Sequence, residues 1–297
     1  MLEVDYDQIP SILSELDYSG GEKEPEHALD NSITRLLILI DRLSKHKEFT
    51  DTLKLRFDFQ KAATILKATF FNQPIPSLTE WGTIPNTELM QGIGSILENG
   101  KCNLHKAIAD GIILAKEFWG IYDSALAIDI ALDKTFAEYL HSVLPKTEYF
   151  NRWIAVYTDW LNMKSFVRIC KTKIPHKMFW ELFAQGGDIP RRLFTDALQS
   201  EDENAIAKFT FTEYGKKLID VLKLSMEQKP ATVDIFFRAQ LISLYRFTKY
   251  CPYGLEILWA FAMTKLEEIG ALRTIVRAKS AKIPMEAVKE VISVVME

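Results

Sequence analysis

The sequence predicts an all-α protein built as three homologous small helical-bundle domains in series. Three observations carry this expectation. One block with helical apolar spacing occurs three times without gaps. Glycine (13) and proline (11) together make up about 8% of the 297 residues, against roughly 12% in an average chain. And no alternating apolar–polar run is long enough to read as a strand.

The clearest copy of the block is Glu268-Ile-Gly-Ala-Leu-Arg-Thr-Ile-Val-Arg-Ala-Lys-Ser-Ala-Lys-Ile-Pro284. Ile269, Leu272, Ile275 and Val276 share one helical face, with Arg273 and Arg277 on its flank. Pro284 is expected to end the helix, because its ring removes a backbone donor and restricts the preceding residue. Asp58–Pro74 and Asp159–Pro175 repeat the pattern. Their apolar quartets are Phe59, Ala62, Ile65 and Leu66, then Trp160, Met163, Phe166 and Val167. An acid opens each copy, a proline closes it, a hydroxyl stands at Thr64, Ser165 and Thr274, and a base at Lys67, Arg168 and Arg277. Lys164 and Arg273 share a further basic column. Amphipathic spacing alone is common to most helices; agreement in the acid, hydroxyl, base and proline columns together indicates an internal triplication.

In chain order, Tyr6–Leu16 reads as a short helix that breaks at Ser19-Gly20-Gly21 and the acidic stretch Glu22–Glu26. Ala28-Leu-Asp-Asn31 opens an apolar helix with Asp30 or Asn31 as its N-cap. A second helix runs from about Thr50 through the first block to Phe71, followed by the turn Gly82-Thr-Ile-Pro85. Ala131-Leu-Asp133 opens the corresponding helix before Asp159, and Gly187-Asp-Ile-Pro190 echoes the turn after it. Val233-Asp234 opens a weaker third match. The segments Thr87–Glu117 and Arg191–Lys223 between the hairpins are also helical in pattern. Units at 1–90, 91–198 and 199–297 follow. Their spacing is too long for solenoid repeats of about 34–47 residues.

The formal charge of −4 argues against nucleic acid as a partner. Cys102, Cys170 and Cys251 are far apart and odd in number, which fits reduced thiols better than a disulfide framework. The N-terminus lacks the layout of a signal peptide, and the longest apolar run, Leu255–Met263, is well short of the ~20 residues a spanning helix needs. A soluble chain is expected.

No catalytic constellation emerges. The five histidines are scattered, no cysteine pair has zinc-ligand spacing, and Gly92-Ile-Gly94 lacks both the strand and the third glycine of a dinucleotide fingerprint. Glu201-Asp-Glu203 reads as a solvated loop. Asp129 and Asp133 are four apart, as in some metal–diphosphate enzymes, but Asp133 is assigned a capping role in the repeat. No catalytic, metal or cofactor residue and no small-molecule substrate is assigned. The repeated bases Lys67, Lys164, Arg168, Arg273, Arg277 and Lys279 are read in two ways. The first ties each helix to a neighbouring acid; the second turns the bases toward an acidic partner or helix C-termini.

The third block with its lead-in, from Cys251-Pro-Tyr-Gly-Leu-Glu256 through Arg277-Ala-Lys279 to Pro284, resembles the C subunits of archaeal and bacterial V/A-type rotary ATPases, whose eukaryotic relative is the d subunit of the V-ATPase. Asp159-Trp-Leu-Asn162 fits the family pattern, and Leu66-Lys-Ala68 fits it in part. The resemblance covers essentially the whole chain. It implies a funnel-shaped body whose first unit, 1–90, is trimmed at its N-terminus relative to the family. It implies a non-catalytic central-stalk component, seated on the membrane proteolipid ring and receiving the central shaft, at the cytoplasmic face. It also implies torque transfer without a cofactor. From a different class, a helical scaffold binding soluble partners stands as the alternative.

Overall fold

A computed structural model of the chain describes residues 1, 4–18, 24–100, 102–199, 204–227 and 231–296. The expected break at Ser19–Gly21 and the acidic trio Glu201–Glu203 lie outside the described residues. No strand occurs among the described residues, so the all-α class holds. In order, the helices are α1 (Ile9–Glu15), α2 (Pro25–Leu43), α3 (Lys47–Phe70), α4 (Asn86–Asn99), α5 (Lys106–Tyr122), α6 (Ala125–Val143) and α7 (Glu148–Cys170). There follow α8 (Lys177–Glu181), α9 (Arg191–Gln199), α10 (Asn204–Ala207), α11 (Gly215–Glu227), α12 (Ala231–Phe247), α13 (Leu255–Ser280) and α14 (Met285–Met296). The blocks of the triplication lie in α3, α7 and α13. The helices that lead into them are α2, α6 and α12.

The lead helices begin earlier than the sequence suggests. In α2, Glu24 is the N-cap and Pro25 stands in the first turn, where its missing N–H costs nothing. In α6, the Ser124 side chain accepts from Leu126 N at 3.2 Å. Asp30 and Asp133 therefore sit inside their helices and cap nothing. An acid before an apolar run imitates a cap, and the true start precedes it by more than a turn. The segment expected at Thr87–Glu117 is two helices, α4 and α5, parted by Gly100 in the left-handed region (φ 71°). The stretch Arg191–Lys223 is likewise broken into α9, α10 and α11.

Proline also does less than expected. α3 and α13 end four residues before Pro74 and Pro284. Asn72 (φ 50°) and Lys282 (φ 54°) turn left-handed at the same column of the block. Gln73 N then donates to Ala68 O, and Ile283 N to Ala278 O, each at 2.8 Å. This six-to-one closure satisfies terminal carbonyls and finishes the helix before the proline is reached. In α7, which has no left-handed residue, the end is a tighter turn with Thr172 N donating to Ile169 O. The hydroxyl column has a uniform role. Thr64, Ser165 and Thr274 each donate to the carbonyl four residues back, at 3.0, 2.8 and 2.9 Å.

Packing divides the chain into two compact units. One holds Met1–Lys47 with Arg238–Glu297, the other Glu48–Phe237. In the first, α13 packs on α2, and Ala271, Ile275 and Ala278 join Val288 and Ile292 of α14 in a buried cluster. In the second, α7 is buried on nearly every side, Thr158, Asp159, Asn162 and Ser165 included. Phe166 at its centre meets Phe179, Phe194 and Phe209 with centroids 6.2, 5.5 and 6.0 Å away. Such edge-on and tilted pairs contribute about 0.5–1.5 kcal/mol each beyond the area they bury. The apolar quartets are buried apart from Trp160 and Leu272, which are half-buried.

Candidate functional site

The opening acids of the first two blocks are fully buried, and both hold the glycine turn that follows their helix. Thr83 donates to Asp58 Oδ2 through its backbone N (2.7 Å) and its hydroxyl (2.8 Å), and Ile84 N donates to Oδ1 at 3.4 Å. At the second copy, Asp188 N donates to Asp159 Oδ2 at 3.1 Å and Ile189 N to Oδ1 at 3.0 Å. A carboxylate thus replaces solvent for turn amides that would otherwise be left unpaired. Glycine is required for the approach. A Cβ on Gly82 would lie 2.1 Å from Asp58 Oδ1, and one on Gly187 2.2 Å from Asp159 Oδ1. Gly82 also has φ +120°, which L-residues rarely adopt. Gly82→Ala and Gly187→Ala are expected to lower stability by about 1–3 kcal/mol each, with the larger loss at Gly82, read from urea midpoints.

The two clamps differ in how the charge is met. Three residues after Asp58, Lys61 is itself buried; its Nζ lies 3.0 Å from Asp58 Oδ1 and donates to Ile84 O at 3.0 Å. Three residues after Asp159 stands Asn162, which turns away and exchanges two hydrogen bonds with Ala184. In place of a cation, the Tyr214 hydroxyl donates to Asp159 Oδ2 at 2.8 Å. Burial pushes the Asp159 carboxyl up to about 7 from 3.8, against the pull of its three hydrogen bonds. Burial and the Asp159 charge raise the Tyr214 hydroxyl in turn. Over this clamp, Arg152 pairs with Asp188 at 2.7 Å and with Glu213, beside an open cleft of about 900 Å3. The third block lacks the turn; its acid, Glu268, pairs with Lys265 at 2.8 Å.

The repeated bases face acids on the lead helices. Arg277 Nε is 2.8 Å from Glu26, and Arg273 NH2 donates to Asp30 at 2.6 Å. One turn apart on both helices, these rungs run antiparallel. Lys67 pairs with Asp129 at 2.5 Å, in the same block column as Arg277. Lys164 pairs with Asp133 at 2.7 Å, in the same column as Arg273. Asp129 and Asp133 are therefore engaged by lysines, and among the described residues no His, Cys, Asp and Glu cluster is placed to hold a metal ion. Trp160 Nε1 donates to Asp234 of α12 at 2.7 Å. Within one unit, Lys67 and Trp160 link their blocks to the lead helices α6 and α12, and within the other, Arg273 and Arg277 link theirs to α2. Lys164 to Asp133 and Arg238 to Glu267 (2.6 Å) add links inside a repeat. Lys279 reaches Val4 O. Arg168 differs: it is exposed and makes no ion pair among the described residues.

Exposed ion pairs contribute only about 0–1 kcal/mol, but Arg273 is four-fifths buried and meets two carboxylates, so reversing its charge also creates repulsion. Arg273→Glu with Arg277→Glu is expected to lower Tm by about 4–8 °C in the isolated chain. A thermal melt with unchanged Tm would remove these rungs from the fold.

The clamps left a trace in the sequence, since both the acids and the Gly-x-Ile-Pro turns recur. Their hydrogen bonds span 25 to 30 residues and follow no local period. Lys61, Tyr214 and Arg152 had no signal there, since each occurs in one copy only.

A comparison with curated proteins yields no match. A family model described as the ATP synthase (C/AC39) subunit matches residues 3–291, so it takes in both clamps and every rung. No helix among the described residues is long and apolar enough to cross a membrane. With a match of that extent on an all-α chain, the protein belongs to the ATP synthase (C/AC39) subunit family.

Proposed function

We propose that the chain is a non-catalytic central-stalk rotor subunit of a V/A-type ATPase or ATP synthase, a funnel-shaped socket that joins the central shaft to the membrane proteolipid ring and transmits torque between them. It would lie at the cytoplasmic face as a peripheral component held by the ring. It uses no cofactor and acts on no substrate. The observation that carries this reading is the family match over nearly the whole chain. The pattern of pairing supports it mechanically. Blocks are tied to lead helices within each unit, through Lys67 and Trp160 in one and through Arg273 and Arg277 in the other. The repeats we assign are 1–90, 91–198 and 199–297, and close-packed helices deform little under load.

Of the six repeated bases, Arg168 is the one we assign to a partner. It is exposed, lies in the same column as Lys67 and Arg277, and has no carboxylate of its own among the described residues. The test is co-expression of the chain with the ring and shaft proteins, followed by purification at low salt. Retention of the chain is expected, and Arg168→Glu is expected to weaken retention about fivefold with Tm unchanged. A chain that elutes apart from both partners would instead support a scaffold for soluble proteins.

A further inference from the structure

At the end of α12 the chain leaves three large aromatic side chains in water. Phe247 is 60% exposed, Tyr250 71% and Tyr253 84%. They are held there by a built turn. Tyr245 and Thr248 are buried beneath them, the Thr248 hydroxyl donates to Tyr245 O at 2.7 Å, and Cys251 N donates to Thr248 O at 2.9 Å. Pro252 and the positive φ of Gly254 (132°) then carry the chain into α13. Phe247 and Tyr250 stand 6.1 Å apart edge-on, and Lys249 Nζ lies 4.9 Å from the Tyr250 ring centroid.

The charge of this tip departs from that of the chain. Between Asp234 and Glu256 the sequence has no acid, yet it carries Arg238, Arg246 and Lys249, and among the described residues only Arg238 is paired with a carboxylate. The antiparallel rungs from Arg277 to Glu26 and from Arg273 to Asp30 bring the C-terminal end of α2 to the same end of this unit, where Leu39 and Phe261 line one groove. Leu43 is 61% exposed there, with Arg42 and Lys45 beside it. Against these bases stand Asp41 and Glu256. An apolar ring beside two with hydroxyl tips, interleaved with long bases, suits the boundary between lipid headgroups and hydrocarbon.

We propose that the α12–α13 tip, centred on Phe247, Tyr250 and Tyr253, is a contact for an anionic membrane surface. That a membrane lies nearby rests on the rotary reading above; the aromatic and basic character of the tip does not. The rings enter the headgroup layer, while Lys249 and Arg246 meet lipid phosphates. Each base adds about five- to sixfold in affinity near an anionic surface, so the pair gives about thirtyfold over neutral lipid.

The test uses the full chain with two vesicle preparations, phosphatidylcholine alone and phosphatidylcholine with phosphatidylglycerol, read by co-sedimentation. Tighter binding to the anionic vesicles is expected. It should be lost with Phe247→Ser, Tyr250→Ser and Tyr253→Ser combined, and fall about thirtyfold with Arg246→Ser and Lys249→Ser. Both variants should keep the wild-type Tm, since all five side chains are exposed. A chain that ignores anionic vesicles, or an aromatic variant that binds them like the wild type, would overturn the proposal. Loss of ring retention by the aromatic variant with vesicle binding unchanged would overturn it too, and would make the tip a protein contact. Ring retention of the wild-type chain is measured separately, so a failed vesicle assay leaves the rotary reading standing.

Discussion

Replacing Lys61 with methionine is expected to cost about 3–5 kcal/mol of unfolding free energy, because it leaves the carboxylate of Asp58 buried without its cation. Asp58 is fully buried, Lys61 is 3% exposed, and the two approach to 3.0 Å. Methionine keeps the apolar length of the lysine stem, so the loss reports charge rather than a cavity. The second clamp supplies the control. Its position three residues after the acid holds Asn162, so Lys61→Asn copies a solution already present in the chain. That variant should also lose stability, since Tyr214 serves only Asp159. Urea unfolding of wild type, Lys61→Met and Lys61→Asn measures the order. Asp58→Asn combined with Lys61→Met should recover part of the loss, as removing both charges costs less than stranding one.

The second large effect is a pH dependence centred on Asp159. Its carboxyl is at about 7 in the folded chain and 3.8 when unperturbed. A raised carboxyl means that the unfolded state ionises first as pH rises. The group's stabilising contribution is therefore full below about 3.8 and is lost as pH rises through about 7. Between pH 5 and 8 the loss amounts to about 2–3 kcal/mol. Asp188, Glu213, Arg152 and Tyr214 surround the site and titrate or carry charge as well. The difference between wild type and Asp159→Asn isolates the one carboxyl. Urea midpoints at pH 5 and pH 8 should show that difference shrinking or changing sign toward pH 8. A constant difference would mean that Asp159 stays ionised throughout, held by its three donors.

Much of the fold was legible because its signals are local. Spacing of three and four residues located the block helices, and low glycine and proline content excluded a strand-rich architecture. What escaped was set by distance or by imitation. Asp30 and Asp133 look like caps because an aspartate just before an apolar-periodic run is a helix start signal. In the fold they are targets for Arg273 and Lys164, one of them 243 residues away. Pro284 looks like a helix stop, yet a left-handed Lys282 ends α13 first. The quartets marked one apolar face of α7, but the helix is buried nearly all round, so its polar column had to find partners inside the protein. Asp159 found a turn and a tyrosine, and Asn162 a backbone amide and carbonyl. The repeated bases were visible as columns, whereas their partners depend on which helices pack together. Only that packing separates Arg168 from the five that are tied in.

The rotor assignment meets its most direct test in a covalent cross-link between this chain and the proteolipid ring of the assembled complex, with ATP-driven ion transport measured before and after. If the two turn together, linking them leaves transport unchanged, because no motion between them is needed. Transport that stops on cross-linking and returns on cleavage of the link would show that chain and ring move against each other, and the chain would then belong to the stationary part of the machine.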